Sequence, residues 1–131
     1  MAAARRGSIV NISSIYGVVS PDQSLYQYRR DQGDIFFKPV GYSVSKSAIL
    51  NLTRYLATYW AKDGVRVNTL VIAGVANNQD KDFLDAYCKR IPIGRMATET
   101  DYNGAVLFLS SPASIYMTGA QLVVDGGWTA I

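Results

Sequence analysis

"GSIVNISS", residues 7–14, is a short apolar, β-branched run opened by a glycine, and it reads as a buried strand. It does not alternate between apolar and polar, as expected of a strand covered on both faces of a parallel sheet. "VRVNTLVIAGV" (65–75) reads the same way, and so does "AQLVVDGG" (120–127), which ends on a glycine pair. Between the first two lies "GYSVSKSAILNLTRYLATYW" (41–60). There Ala48, Leu52, Tyr55, Leu56 and Tyr59 recur at helical spacing, Ile49 widens the apolar face, and Gly64 stands where a helix would stop. Tyr59 and Trp60 read as packing residues at the end of that helix. Two further helices are predicted, from Asp80 to Arg90 and from Glu99 to Ser110, the second opened by Thr98 or Thr100 as cap. Strand, helix, strand, helix, helix, strand is an α/β order with right-handed crossovers.

Composition narrows the function classes. With 131 residues, 49% hydrophobic and 18% charged, the chain suits one globular domain. Its net charge of +3 is mild, and apart from the pairs Arg5-Arg6, Arg29-Arg30 and Lys89-Arg90 the cations are scattered, so no nucleic-acid partner is expected. There is no histidine, which excludes a Ser-His-Asp triad, a zincin helix and any His-ligated metal. The single cysteine, Cys88, excludes an internal disulfide and a cysteine-built zinc site, and it reads as an inert helical residue. No metal is expected. No stretch reaches the length of a membrane span, and "MAAARRG" has no apolar core behind its basic residues. The expectation is a cytoplasmic protein without a membrane partner.

One section resists the α/β scheme. "VVSPDQSLYQYRRDQGDIFFKPVG" (18–41) is polar and aromatic, bounded by Pro21 and Pro39, and has no sustained period. Loops of this length inside a compact domain tend to be lids or binding loops. Its Tyr26, Tyr28, Arg29, Arg30 and Lys38 suit a cover over a polar or anionic substrate. A solvated excursion or an oligomer contact is the other reading.

In an open α/β sheet, ligands sit at the carboxyl ends of the strands. Ser13 and Ser14 end the first strand, so one hydroxyl projects into that crevice. Tyr42 and Lys46 enter from the first turns of the next helix, and an i,i+4 pair shares one face. A free tyrosine titrates near ~10. A neighbouring ammonium favours its ionised form, because opposite charge stabilises a phenolate. Such a tyrosine can exchange a proton with a carbonyl or alcohol oxygen while a serine hydroxyl holds that oxygen. Taken singly, a Tyr-x-x-x-Lys pair is more often a surface pair, and "NISS" is equally often only a strand end.

The blocks "GSIVNISSIYG", "YSVSKSAILNLTRYLA", "DGVRVNTL" and "TGAQLVVDGGWT" occur in an order and spacing that resembles the second half of a short-chain dehydrogenase/reductase. The resemblance covers nearly the whole chain apart from 18–41. It implies a partial Rossmann-type, doubly wound parallel sheet: one partial dinucleotide-binding-type domain over 1–131, carrying an inserted loop at 18–41. By resemblance, Ser14 orients the substrate and Tyr42 is the catalytic acid/base. Lys46 lowers the tyrosine's pKa and holds the ribose of NAD or NADP. The implied activity is NAD(P)-dependent interconversion of a carbonyl and an alcohol on a small, polar or sugar-like substrate. A homo-oligomer built through the helix bearing Tyr-x-x-x-Lys is implied as well.

The sequence departs from that family in three places. No two of its 11 glycines stand two positions apart, so no glycine-rich phosphate turn is present, and the opening residues resemble the tail of a preceding helix. Ile72 and Ala73 replace the usual Pro-Gly after the second strand, followed by Gly74 and Val75. By resemblance, cofactor contacts are expected from Ala73, Gly74, Val75 and Asn77, while the Cβ of Ala73 is expected to crowd the ring or force a different turn. Ser14 and Tyr42 lie 28 positions apart, farther than the family keeps them. The alternative function is a truncated, non-catalytic form serving as a binding or oligomerisation module.

Overall fold

The three predicted strands pair in the computed structural model, which describes residues 1–131. All are parallel, in the spatial order β1 (Gly7–Ser14), β2 (Val65–Ile72), β3 (Gln121–Val124). Gly7 lies opposite Val65 and Ser14 opposite Ile72, while Ile72 also faces Val124. The three carboxyl ends therefore finish level, at one edge of the sheet. The second and third strands are shorter than predicted, stopping at Ile72 and Val124, because their following residues leave the ladder for turns.

β2 is the central strand, and its uninterrupted apolar run is the consequence: Val65, Val67, Leu70 and Val71 are all buried. Two polar residues are equally buried, and both are satisfied. Asn68 donates through Nδ2 to the Met117 carbonyl at 2.7 Å and accepts from the Ala120 amide at 3.0 Å. The Thr69 hydroxyl donates to Thr53 Oγ1 at 2.7 Å, and Asn11 Nδ2 reaches the same oxygen at 2.9 Å.

Thr53 belongs to a long helix, and this corrects the predicted packing face. After β1, residues 18–39 contain a 3-10 turn at Gln23–Tyr26 and the short helix α1 (Gln27–Asp31). The helix α2 (Val40–Trp60) then crosses β1 and β2. Its fully buried residues are Thr53 and Ala57, with Lys46, Ile49, Leu50, Leu56 and Trp60 half-buried. Of the stripe read as apolar-in, Leu56 packs on the core and Ile49 is half-buried, but the rest points outward: Leu52 is exposed, and Tyr55 and Tyr59 are 64% and 66% exposed. Trp60 packs against the cluster of Ala57, Val65 and Val67 as expected, and Tyr59 does not. The helix turns its small residues inward because it must approach the polar contact with Asn11 and Thr69 closely.

The remaining helices are α3 (Lys81–Arg90) and α4 (Asn103–Ser110). α3 matches the prediction, with Asp80 as its cap accepting from the Asp82 amide at 3.0 Å. α4 starts later than Glu99, and neither Thr98 nor Thr100 caps it. Asp101 is the cause. Its carboxylate accepts from the Thr98 amide at 2.6 Å and from Arg95 Nη1 at 2.7 Å, which folds the segment into a turn instead.

The largest apolar cluster lies beyond the carboxyl ends of the strands. Ile15, Tyr16, Leu25, Tyr26, Ala73, Tyr87, Ile91, Met96 and Trp128 form it. Leu25 and Tyr26 come from the 18–39 segment, so that segment is built into the core and is no solvated excursion. No helix is long and apolar enough to cross a membrane.

Candidate functional site

β1 ends in two serines that take opposite tasks. The Ser13 hydroxyl donates to the Lys46 carbonyl at 2.8 Å, which pins α2 to the strand end. The Ser47 hydroxyl adds a bond to the Gly17 carbonyl at 2.9 Å. Gly17 is required here: a Cβ at that position would lie 2.7 Å from both the Lys46 carbonyl oxygen and Ser13 Oγ. Ser14 Oγ accepts from the Tyr16 amide at 3.2 Å. A hydroxyl has one proton to donate and two lone pairs, so the Ser14 proton stays free for another acceptor.

A cavity of about 510 Å³ opens at this carboxyl edge. Ser14, Tyr42 and Lys46 all line it, together with Ala73, Gly74 and Val75. Tyr42 sits in the first turn of α2, its amide bonded to the Pro39 carbonyl at 3.2 Å, and its ring meets the edge of Tyr16 at 6.5 Å. The Lys46 ammonium lies 5.9 Å from the centre of the Tyr42 ring and donates to the Ile12 carbonyl at 3.3 Å.

The exit from β2 lines the same cavity. The Gly74 amide donates to the Tyr87 phenol oxygen at 2.7 Å, and Tyr102 donates its hydroxyl to the Ala73 carbonyl at 3.1 Å. A Cβ on Gly74 would stand 2.6 Å from Met96 Cε, the far end of a flexible side chain, and 3.1 Å from the Tyr87 oxygen, so a side chain there requires Met96 to shift. Ala73 adopts no left-handed conformation and is buried in the core cluster. Asn77 is exposed and lies outside the cavity lining, its amide bonded to Gln79 Oε1 at 2.6 Å. Gln79 lines the cavity and donates to the Val75 carbonyl at 2.7 Å.

From the 18–39 segment, Tyr26, Tyr28, Arg29 and Lys38 reach the cavity, whereas Arg30 does not. Arg30 is a clip within the loop, its Nη1 and Nη2 donating to the Phe36 and Gln23 carbonyls at 2.9 and 2.8 Å. The position of Lys38 is the feature that sequence reasoning missed: its ammonium stands 4.4 Å from the centre of the Tyr42 ring. Lys38 precedes Tyr42 by the interval at which Lys46 follows it. Helical geometry cannot be read across Pro39, though, because the helix starts only at Val40.

Burial separates the phenols. It pushes Tyr87 up to about 12 and holds Tyr16 and Tyr26 well above the ordinary tyrosine value. Tyr42 is 37% exposed and lies beside two ammonium groups.

A family model described as Enoyl-(Acyl carrier protein) reductase matches residues 34–129. A tropinone reductase homolog of Arabidopsis thaliana is 37% identical over 98% of this chain and 45% of its own length. A galactitol 2-dehydrogenase (L-tagatose-forming) of Cereibacter sphaeroides is 35% identical over 98% of this chain and 48% of its own. Among solved structures, a short chain dehydrogenase from Leptospira borgpetersenii with bound NAD+ superposes with a TM-score of 0.86 at 37% identity, over 98% of this chain and 47% of that one. A gluconate 5-dehydrogenase from Burkholderia cenocepacia, in complex with NADP and tartrate, gives a TM-score of 0.84 at 29% identity, over 99% and 48%. The chain thus spans about half the length of the relatives it matches.

Proposed function

The chain belongs to the short-chain dehydrogenase/reductase family, and from that membership we propose that it serves an NAD(P)-dependent oxidoreductase interconverting a carbonyl and an alcohol. The observation that carries the reading is that Ser14, Tyr42 and Lys46 line one cavity at the level carboxyl ends of the sheet. In the reducing direction Tyr42 gives its phenolic proton to the carbonyl oxygen, and Ser14 holds that oxygen with its free hydroxyl proton. Lys46 supports Tyr42 in this role from the same helix, its ammonium 5.9 Å from the ring centre.

The residues present fit the nicotinamide end of the cofactor. A phenol, an ammonium and the backbone that follows β2 at Ala73–Val75 line the same cavity. Tyr42 and Lys46 would hold the ribose hydroxyls, and Ala73, Gly74 and Val75 the carboxamide. The nicotinamide supplies or accepts the hydride. A polar, sugar-like substrate suits the cavity's hydroxyls and cations, and relatives named for galactitol and gluconate support it. The single cysteine fits a cytoplasmic setting.

The outward stripe of α2 supports a homo-oligomer. Val44, Leu52, Tyr55 and Tyr59 are exposed apolar or aromatic residues on this one helix. The same stripe favours the second reading, a binding or oligomerisation module without catalysis.

Two measurements separate the readings. Fluorescence titration with NADH and NADPH, followed by assay of hydride transfer, tests the first. Turnover that Tyr42→Phe lowers by at least about a hundredfold supports it. Retention of rate within about tenfold in that variant removes the mechanism. Light scattering of the wild type and of Leu52→Glu tests the second: a stable assembly, dissolved by the charge, with no nucleotide binding favours the module.

A further inference from the structure

Resting on the oxidoreductase reading, we propose that the substrate carries an anionic group, a carboxylate or a phosphate, close to its reacting carbon, and that Lys38 holds it. Three cationic side chains line the cavity, Arg29, Lys38 and Lys46, against one acidic residue, Asp80. Asp80 is occupied as the cap of α3. Each of the other two cations already has a partner within the protein. Arg29 donates through Nε to Asp34 Oδ2 at 2.7 Å and lies flat over Phe36, 4.0 Å from the ring centre. Lys46 donates to the Ile12 carbonyl.

Lys38 is different. Its ammonium takes part in none of the ion pairs and none of the hydrogen bonds of the structure, and its one close feature is the Tyr42 ring at 4.4 Å. Its backbone, by contrast, is fixed on both sides. The Lys38 amide donates to Gln23 Oε1 at 2.8 Å, and Gln23 Nε2 donates to the Lys38 carbonyl at 3.3 Å. The Gln23 carbonyl is itself held by Arg30. Pro39 adds a further restriction, since a residue before proline is confined to extended backbone. The loop thus presents an uncompensated charge from a rigid base beside the proposed acid/base.

An anionic oxygen accepting from that ammonium lies about 2.8 Å from it. Given how near the ammonium is to the Tyr42 ring, the anion is then only a few bonds from the carbon whose oxygen Tyr42 serves. Hydroxy- and oxo-acids, and phosphorylated polyols with the same spacing, meet this condition. A neutral polyol leaves the charge unmatched.

The test compares three probes on one six-carbon skeleton: D-gluconate, D-glucitol 6-phosphate and neutral D-glucitol. Each is titrated at millimolar concentration into the whole chain by calorimetry or saturation-transfer NMR, with wild type, Lys38→Gln and Lys38→Arg. We expect at least one anion to bind about tenfold tighter than glucitol, to lose that advantage in Lys38→Gln and to keep most of it in Lys38→Arg. The preference should also shrink as salt is added. Gluconate alone preferred assigns a carboxylate, and the phosphate alone preferred assigns a phosphate. Equal binding of all three, no binding of either anion, or an anion preference unchanged in Lys38→Gln overturns the proposal. If Lys38→Gln slows neutral and charged substrates alike, Lys38 acts only on Tyr42 and the proposal also fails. Because Tyr42→Phe reports on hydride transfer and Lys38→Gln on anion preference, failure of one reading is distinguishable from failure of the other.

Discussion

Ser14 has two hydrogen-bonding duties, and they can be separated. Its oxygen accepts from the Tyr16 amide, and its proton is free for a substrate oxygen. Ser14→Ala removes both, so we expect stability to fall by about 1 kcal/mol, as for other lost caps. Turnover should fall by about a hundredfold, as when an oxyanion donor is removed. Ser14→Thr keeps both groups and should restore most of the rate. Denaturant melts and steady-state rates on the same preparations check the two effects separately. Gly74 gives a second prediction at this scale. Its missing Cβ lets Met96 and the Tyr87 oxygen come close, and because the flexible end of Met96 can shift, Gly74→Ala is expected to cost about 1 kcal/mol, the low end for overpacking. A melting curve indistinguishable from wild type would show that this contact relaxes freely. The residues that local rules could find were found: a serine ending a strand, and a phenol and an amine one helical turn apart. Lys38 was named only as part of a loop cover, and its approach to Tyr42 escaped because it runs through a bend at Pro39 that no periodic spacing encodes.

At the level of elements, α2 shows how far a hydrophobic stripe can mislead. Leu52, Tyr55, Leu56 and Tyr59 have helical spacing, and a helix does form over them. Apart from Leu56, that stripe faces outward, while Thr53 and Ala57 face the sheet. The sequence could not reveal this, because the partners that make Thr53 an inward residue, Asn11 and Thr69, come from two strands distant in the chain. Thr53→Val keeps the shape but leaves the Asn11 amide and the Thr69 hydroxyl without their shared acceptor. Each unmet buried partner costs about 1–3 kcal/mol. We therefore expect Thr53→Val to be destabilised by about 2 kcal/mol or more in urea melts. Leu52→Ala, on the exposed side, should change the monomer's stability by less than about 0.5 kcal/mol. The start of α4 has a similar lesson. Thr98 has the residue type of a cap, yet Asp101 captures its amide and hydroxyl first.

Across the whole molecule, the parallel pairing of the three strands follows from the element order, and it was legible. The packing of residues 18–39 was not, since the burial of Leu25 and Tyr26 depends on Tyr87, Trp128 and other residues far along the chain. The resulting cluster is rich in tyrosine, and this has a consequence in alkali. Burial holds Tyr87 at about 12, above its unfolded value near ~10, so the folded chain grips that proton more firmly. The stabilising contribution is complete below pH ~10 and is lost as pH rises toward about 12. Tyr16 and Tyr26 act in the same sense. Urea midpoints are expected to stay level up to pH ~10 and then fall steeply, and the fall should be shallower in Tyr87→Phe. An equal slope in that variant would place the alkaline sensitivity elsewhere.

Tyr16, Tyr26, Tyr87 and Met96 are at once members of the main apolar cluster and walls of the cavity. No inert scaffold therefore lies between the wall that a ligand touches and the mass that keeps the chain folded. Enlarging the chamber for a bulkier guest hollows out the fold's own ballast, and a well-fitting guest lends the fold cohesion in return. Evolving a new specificity from this frame should begin with the outer rim, at Tyr28, Arg29 and Lys38, where change leaves the foundation intact.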